Sequence, residues 1–273
     1  MATNIKVWQA QAQGSREYQQ DRMAVTPEKN VGARGLLSVL CDGMGGMHDG
    51  EKFAAIGCET MHETFVALAP QPDMTETLRQ CYEAAQAKAC AAQSEDSGEA
   101  GGSTLLGVLI KDGRCAWISS GDSRIYLYRG GGLIQLTRDQ NMGAVLDVRA
   151  AFGAIDWETA RGAVGRSALT GHLGMENAQP CDFSPEDFAL LPGDILMEMS
   201  DGVYNTLSVG EMEELLAGWQ AAPKGDPAKL IIDQVIAQNK PRQDNCSVIL
   251  LQYGLLAEPK PGKISRKRKG RYS

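Results

Sequence analysis

Apolar residues fall along this chain in short dense runs and in longer periodic stretches. Leu36-Leu37-Ser38-Val39-Leu40-Cys41, Ile195-Leu196-Met197-Glu198-Met199 and Cys246-Ser247-Val248-Ile249-Leu250-Leu251 are strand-sized and nearly continuous. Runs of that length without alternation read as buried strands. Thr104 to Ile110 and Cys115 to Ser119 flank Asp112-Gly113, a hairpin signature in which Gly supplies positive φ. Arg124 to Tyr128 and Leu133 to Leu136 flank Gly130-Gly131-Gly132 in the same way, so residues 104–136 read as an antiparallel meander. Two stretches have helical spacing. Residues 51–69 carry Phe53, Ile56, Met61, Phe65 and Leu68 and stop before Pro70; residues 75–93 place Leu78, Tyr82, Ala85 and Ala89 on one stripe. Ser208 and Glu211 have capping-box spacing, and Pro227 follows Asp226 at the first position of a helix running to about Asn239. Residues 94–102 read as a polar loop. The stretch 140–168 is polar, Gly-studded and weakly periodic, and reads as a mobile flap or a small helical insert.

Strands and helices interleave from the start to Leu251, which favours one α+β domain over residues 1–257 rather than two. Composition leaves that unchanged: 43% apolar and 22% charged are ordinary for a globular chain. No apolar run approaches the ~20 residues of a membrane span. Met1-Ala2-Thr3-Asn4-Ile5-Lys6 lacks the apolar core of a secretory signal, so cytoplasmic residence is expected. The cysteines (Cys41, Cys58, Cys81, Cys90, Cys115, Cys181, Cys246) are odd in number, have no C-x-x-C pair, and read as reduced core residues. Charge is unevenly spread. Residues 258–273 hold seven Lys/Arg and one Glu, whereas the remainder holds 20 Lys/Arg against 33 Asp/Glu, a balance of −13. A body that acidic argues against nucleic-acid binding. The basic tail reads as a disordered, solvated end, with nucleic acid, membrane or an acidic partner as its alternative contacts.

Each of the three dense runs abuts an aspartate: Asp42, Asp201 and Asp244. If the runs pack side by side, the three carboxylates converge at their ends. Converging carboxylates repel one another unless a cation lies between them, and hard divalent ions such as Mg²⁺ and Mn²⁺ prefer oxygen ligands. Asp112-Gly113 is a control: there the same dipeptide reads as a turn, so Asp-Gly alone says little.

Order along the chain says more. Gly14-Ser15-Arg16-Glu17-Tyr18-Gln19-Gln20-Asp21 comes first, then Asp42-Gly43-Met44-Gly45-Gly46 with Gly50-Glu51, then Gly102-Ser103-Thr104 and Gly121-Asp122-Ser123-Arg124. Leu136-Thr137-Arg138-Asp139-Gln140, Leu169-Thr170-Gly171-His172-Leu173-Gly174, Ser200-Asp201-Gly202 and Asp244-Asn245-Cys246-Ser247 complete the set. This succession resembles the metal-dependent protein phosphatases of the 2C type, the PPM family, and in particular its bacterial branch. The resemblance implies a sandwich of two antiparallel β-sheets flanked by α-helices, with a flap near 140–168. It implies hydrolysis of phosphoserine and phosphothreonine in proteins at a centre of two Mn²⁺ or Mg²⁺ ions. The expected partners are phosphorylated proteins, in a pathway run by a bacterial Ser/Thr kinase, and the expected state is a monomer. A pair of bridged metals suits this chemistry, because it offsets phosphoryl charge and lowers the pKa of a bound water.

By the same resemblance Asp42 bridges both ions and Gly43 offers a backbone carbonyl. Asp201 and Asp244 complete one metal's shell, and Asp21 supports the other directly or through water. Arg16 corresponds to a phosphate-binding arginine whose planar fork suits a phosphoryl group. Asp122 stands where some members hold a third, weaker ion; hydrogen bonding within its own turn is the alternative. Ser103 and Thr104 are expected to satisfy backbone groups beneath the site. Four positions depart from the common pattern, the first being Gln19 in place of a common Asn. Gln20 stands where many members have Glu, and it brings an oxygen without charge, which weakens any metal ligation there. Met44 replaces a proton-donating His of eukaryotic members, leaving water as the acid and His48 as a loop residue nearby. Gln140 replaces a His, in a structural position. Arg161 and Arg166 in the flap either approach a phosphopeptide or form surface ion pairs. A pseudophosphatase acting as a binding module and a phosphatase of small phosphomonoesters are the two alternative functions.

Overall fold

Both faces of each sheet are covered, which is why its strands read as continuous apolar runs rather than alternating ones. In this computed structural model the residues described are 4–44, 49–93, 101–176 and 181–254. Gly45, Gly46, His48, the loop 94–100 and the tail from 258 lie outside them, as does the domain boundary expected at 257.

The first half of the chain forms β1 (Ile5–Ala12), β2 (Asp21–Val25), α1 (Glu28–Val31), β3 (Leu36–Met44), α2 (Asp49–Ala67) and α3 (Met74–Ala91). Five strands follow: β4 (Gly102–Ser103), β5 (Leu105–Lys111), β6 (Arg114–Ser120), β7 (Arg124–Arg129) and β8 (Gly132–Gln135). The insert contains α4 (Met142–Ala151) and α5 (Trp157–Gly162). Then come β9 (Asp182–Phe183), β10 (Phe188–Ala189), β11 (Ile195–Met199), α6 (Asp201–Tyr204), α7 (Val209–Ala221), α8 (Pro227–Ala237) and β12 (Cys246–Tyr253). One sheet has the order β1-β12-β11-β7-β8 and the other β10-β6-β5-β3-β2, with β4 beside β3 and β9 beside β6. Every pairing is antiparallel.

Three apolar layers hold these elements together. Leu37, Val39 and Cys41 of β3 pack with Phe53, Met61 and Leu78 of α2 and α3. Val248 and Leu250 of β12 pack with Met212, Leu216 and Ile231 of α7 and α8. Between the sheets, Leu36 and Leu40 meet Leu106, Val108, Ile125, Leu196, Ile249 and Leu251. Successive residues of a strand thus enter different layers, as the period of two requires.

The helix signals translate directly. Asp73 caps α3 through the N–H of Glu76, Ser208 and Glu211 form a complete capping box on α7, and Asp226 caps α8 with Pro227 inside its first turn. All seven cysteines are free thiols. Among the described residues no helix is long and apolar enough to cross a membrane. The flap is a helical insert, α4 and α5. Asp112 and Gly113 form the β5–β6 turn with φ of 50° and 74°.

Two expectations change. Residues 104–136 are two hairpins in different sheets: β5–β6 belongs to one and β7–β8 to the other. The far edge of β6 is taken by β9 and β10, and β7 pairs with β11 instead, so the chain crosses the sandwich at Gly121-Asp122-Ser123. The three aspartate-ended runs are also not all neighbours. β11 and β12 are adjacent, but β3 lies in the facing sheet, so Asp42 meets the other two across the interface.

One polar pair interrupts the intersheet layer. Glu198 of β11 is fully buried, its Oε2 accepts a hydrogen bond from Ser38 Oγ of β3, and its Oε1 has no partner. Burial raises its pKa from 4.5 to about 8. The folded protein therefore binds a proton that the unfolded chain releases between those values, and stability falls as pH rises through that window. Glu198→Gln removes this dependence. Urea unfolding at pH 5.5 and 8.5 should show a smaller loss for the variant than for wild type, by a few kcal/mol; equal losses would show that Glu198 does not titrate in the fold.

Candidate metal centre

The intersheet face continues past its last apolar residues and turns polar at one end. Asp21 shares that face of β2 with Met23 and Val25, and Asp42 shares it on β3 with Leu36 and Leu40. Thr104, Ser123, Ser200 and Ser247 occupy the equivalent positions beside β5, β7, β11 and β12. The acidic site is thus the open end of the sandwich core. Asp21 and Asp42 lie opposite each other in the β2–β3 register.

Asp21 is fully buried. Its Oδ2 accepts hydrogen bonds from Ser247 Oγ at 2.6 Å and Ser200 Oγ at 2.9 Å; among the described residues no N–H or hydroxyl donates to its Oδ1, and the Asp42 carboxyl is within hydrogen-bonding reach of the Asp21 side chain. Ser200 precedes Asp201 directly and Ser247 follows Asp244 by three residues, but nothing in their spacing announces this shared contact. The backbone of Asp42 is held from the β4–β5 segment: its N–H donates to Thr104 Oγ1 at 3.0 Å, and its carbonyl accepts from Thr104 N at 2.8 Å and Ser103 Oγ at 3.0 Å. Ser103 and Thr104 therefore do satisfy backbone beneath the site. Gln140 is structural too, since its Oε1 accepts from Gly121 N at 3.0 Å.

Asn245 is the organiser that sequence reasoning passed over. Its Oδ1 accepts from Gln20 N at 2.9 Å, and its Nδ2 donates to the carbonyls of Gln13 at 2.8 Å and Tyr18 at 3.0 Å. One side chain thereby fastens the segment carrying Arg16 and Gln20 to the start of β12. Two close approaches complete the frame. A Cβ on Gly43 would lie 2.1 Å from the Gly50 carbonyl oxygen, and one on Gly202 would lie 2.0 Å from that of Asn245.

Arg16, Gln20, Asp42, Gly43, Met44, Asp122, Asp201 and Asp244 line one pocket of about 360 Å³. Asp21 lies beneath it and not among its lining residues. Asp201 begins α6, and its Oδ2 accepts from Asn205 Nδ2 at 3.1 Å. Asp244 pairs through Oδ2 with Arg16 at 2.6 Å and accepts the Asn245 N–H through Oδ1 at 2.8 Å. Asp122 is bonded outside its own turn: Oδ2 accepts from Asn141 Nδ2 at 3.0 Å, and its carbonyl accepts from the Tyr204 hydroxyl at 2.9 Å. Arg166 and Arg161 are already engaged, the first by Asp147 at 2.8 Å and the second over the Trp157 ring at 5.3 Å.

Crowded carboxylates resist ionisation here. Burial, followed by repulsion from Asp21, Asp201, Asp244 and Asp122, holds Asp42 well above the usual carboxylate range. Burial and then the Asp244 charge push Asp201 to about 7. Burial, opposed by hydrogen bonds from the two serine hydroxyls and from Asp42, raises Asp21 to about 6. Such a group of acids must take up protons or gather around a cation. Among the described residues no group of three or more His, Cys, Asp or Glu is spaced to hold a metal ion as the side chains stand. The donors that Asp42, Gly43, Asp201 and Asp244 offer to the pocket are all oxygens, the type that hard divalent cations prefer.

Residues 9–224 match the profile of the protein phosphatase 2C family, and the chain belongs to that family. It is a protein phosphatase by class. The serine/threonine phosphatase stp of Listeria welshimeri is 26% identical over 224 residues, which cover 81% of this chain and 85% of that protein. The Streptococcus agalactiae serine/threonine phosphatase structure superposes with a TM-score of 0.76 at 23% identity, over 91% of this chain and 99% of that one. The catalytic domain of the serine/threonine protein phosphatase PstP, solved with two manganese ions, superposes with a TM-score of 0.69 at 23% identity, over 91% and 97% of the two chains. These structures share the two antiparallel sheets and flanking helices.

The glycine contacts can be checked by stability. Gly43→Ala and Gly202→Ala should each cost about 1–3 kcal/mol through overpacking against backbone. Gly210→Ala on α7, whose Cβ would meet nothing within 4 Å, should be neutral or stabilising by up to ~1 kcal/mol. Denaturant midpoints for the three variants compare these directly, and equal midpoints would refute the close approaches.

Proposed function

We propose that this chain hydrolyses phosphoserine and phosphothreonine in proteins at a dinuclear Mn²⁺ or Mg²⁺ centre. The observation that carries the reading is the gathering of Asp42, Asp201 and Asp244 around one pocket that also contains Arg16. Asp42, Gly43, Asp201 and Asp244 are the residues that would hold the ions, with Asp21 beneath and Gln20 as a neutral oxygen beside them. Asp122, at the edge of the pocket, is the candidate for a third, weaker ion. When bound, such ions lower the pKa of water and offset phosphoryl charge.

The remaining work falls to the chain itself. Arg16 reaches into the pocket from the segment that Asn245 fastens, and its guanidinium suits a phosphoryl group. Asp244 accepts from Arg16 at 2.6 Å and so aims it. Ser200 and Ser247 orient Asp21, and Thr104 and Ser103 fix the backbone of Asp42, so the acids are held before substrate arrives. Met44 lines the pocket without a transferable proton, which leaves water to protonate the departing serine or threonine. The likeness to bacterial serine/threonine phosphatases supports a role opposite a bacterial Ser/Thr kinase. An open pocket favours protein substrates over small phosphomonoesters. We place the action in the cytoplasm, with one phosphatase domain to residue 257 and a basic tail beyond it.

Gln20 favours a second reading, a metal-binding regulatory module without turnover. Mn²⁺-dependent phosphate release from a phosphothreonine peptide decides between them. Asp201→Asn should lower the rate on the order of 100-fold. Clear calorimetric Mn²⁺ binding with no turnover would instead establish the module. Protons and metal compete for the same acids, and Asp201 titrates at about 7. Apparent Mn²⁺ affinity should therefore weaken below that pH, about tenfold per unit for each proton displaced; an affinity flat from pH 5.5 to 8 would show that the metal displaces no proton from Asp201 in that range.

A further inference from the structure

Beside the acidic pocket runs a trough of about 800 Å³, and the two share Asp122, Ser167 and Asp201. They form one continuous depression between the sandwich end and α4. A phosphoserine side chain needs only the smaller part, so the trough is open for whatever is attached to it.

Its charges are largely spent. Arg124 is held by Asp139 at 2.9 and 2.6 Å and stacks over the Tyr204 ring at 3.7 Å. Arg138 pairs with Asp182 at 2.7 Å. Arg166 pairs with Asp147 at 3.0 and 2.8 Å and donates to the Ala160 carbonyl at 2.7 Å, which ties α4 to α5. Asn141 caps α4 through the Ala144 N–H while holding Asp122. The wall is therefore built and anchored to the acidic site. What it leaves unsatisfied lies along one stripe of α4. Val145, Val148 and Arg149 sit at i, i+3 and i+4, line the trough, and share a face. Val148 is 55% exposed, and the exposed Arg149 side chain makes no hydrogen bond or ion pair with any described residue.

We propose that this trough is a peptide subsite that reads the segment flanking the phosphorylated residue, with an apolar side chain on Val145 and Val148 and an acidic side chain at Arg149. The proposal rests on the phosphatase reading and narrows it to phosphoproteins carrying an apolar and an acidic residue on one side of the phosphate. Arg124, Arg138 and Arg166 are each paired with a carboxylate, whereas Arg149 has no such partner among the described residues. Arg149 supplies the charge.

The test is a kinetic comparison on the full chain with Mn²⁺. The substrates are phosphothreonine peptides with Glu or Lys, and Leu or Ser, scanned through the positions on either side, with p-nitrophenyl phosphate as a substrate lacking any flank. Wild type should favour Glu over Lys and Leu over Ser on one side by roughly fivefold in kcat/KM. Arg149→Glu should reverse the Glu/Lys ratio, Arg149→Lys should keep it, and Val148→Asp should abolish the Leu/Ser ratio. Because each readout is a ratio within one variant, a general loss of activity or of fold does not imitate it. Turnover of all peptides at equal rates, or ratios that Arg149→Glu leaves unchanged, would overturn the subsite while leaving the phosphatase intact. Absence of turnover on both peptides and p-nitrophenyl phosphate would overturn the phosphatase reading and the subsite with it.

Discussion

The fully buried carboxylate of Asp21 is the constraint on which the rest of this site depends. A charge placed at the end of an apolar sandwich is costly unless hydrogen bonds or an opposite charge meet it. Here Ser200 and Ser247 meet one oxygen, and both come from the sheet facing β2. The contact closes the open end of the intersheet layer and sets β11 and β12 at a fixed height against β2 and β3. Asp42, Asp201 and Asp244 lie within a few residues of those same strands, so their convergence follows from the closure. Among the described residues no N–H or hydroxyl meets the second oxygen of Asp21, which lies in reach of the Asp42 carboxyl instead.

Polar satisfaction around this point is uneven in an informative way. Backbone groups are well met, through Thr104, Ser103, Asn245 and Gln140. The carboxylates of Asp42 and Asp201 are buried and crowded by other acids, and their pKa values rise accordingly. The scaffold is thus rigid while its functional groups are held in mutual repulsion, a combination expected where strain is released on ligation. Glu198 offers a contrast. It is as deeply buried, but it has a single hydroxyl partner and no neighbouring acid among the causes of its shift, so it behaves as a neutral core acid rather than as part of a binding site.

In the proposed reading the acidic pocket and the trough divide recognition between them. One gathers oxygen donors and a guanidinium, which suit a phosphoryl group. The other presents an anchored helix face with two valines and an arginine unpaired among the described residues, which suits a polypeptide. Asn141 and Asp122 lie at their junction, so the insert carrying α4 is tied to the acidic site by a side-chain bond and not merely placed near it.

The helix boundaries are legible in the sequence because they follow from caps and periodicity that act within one turn, as at Asp73, Ser208 and Asp226. The succession from Arg16 to Asp244 is a pattern of local motifs, and the resemblance it carries holds at the level of the family and the two-sheet fold. Other features depended on which strands face each other. Residues 104–136 divide between the sheets because the partners of β6 and β7 come from distant parts of the chain, and no local signal encodes that. For the same reason the hydroxyls of Ser200 and Ser247 meet Asp21, Asn245 gathers the Gln13–Gln20 segment, and Arg149 is the trough arginine without a partner among the described residues. Sequence by itself determined the capped helices, the dense strands and the inventory of acids, because capping and periodicity act between near neighbours and the acids are read off directly. Tertiary structure decided which acids share a pocket and which arginines remain available, because burial and pairing are properties of surfaces that meet only after folding.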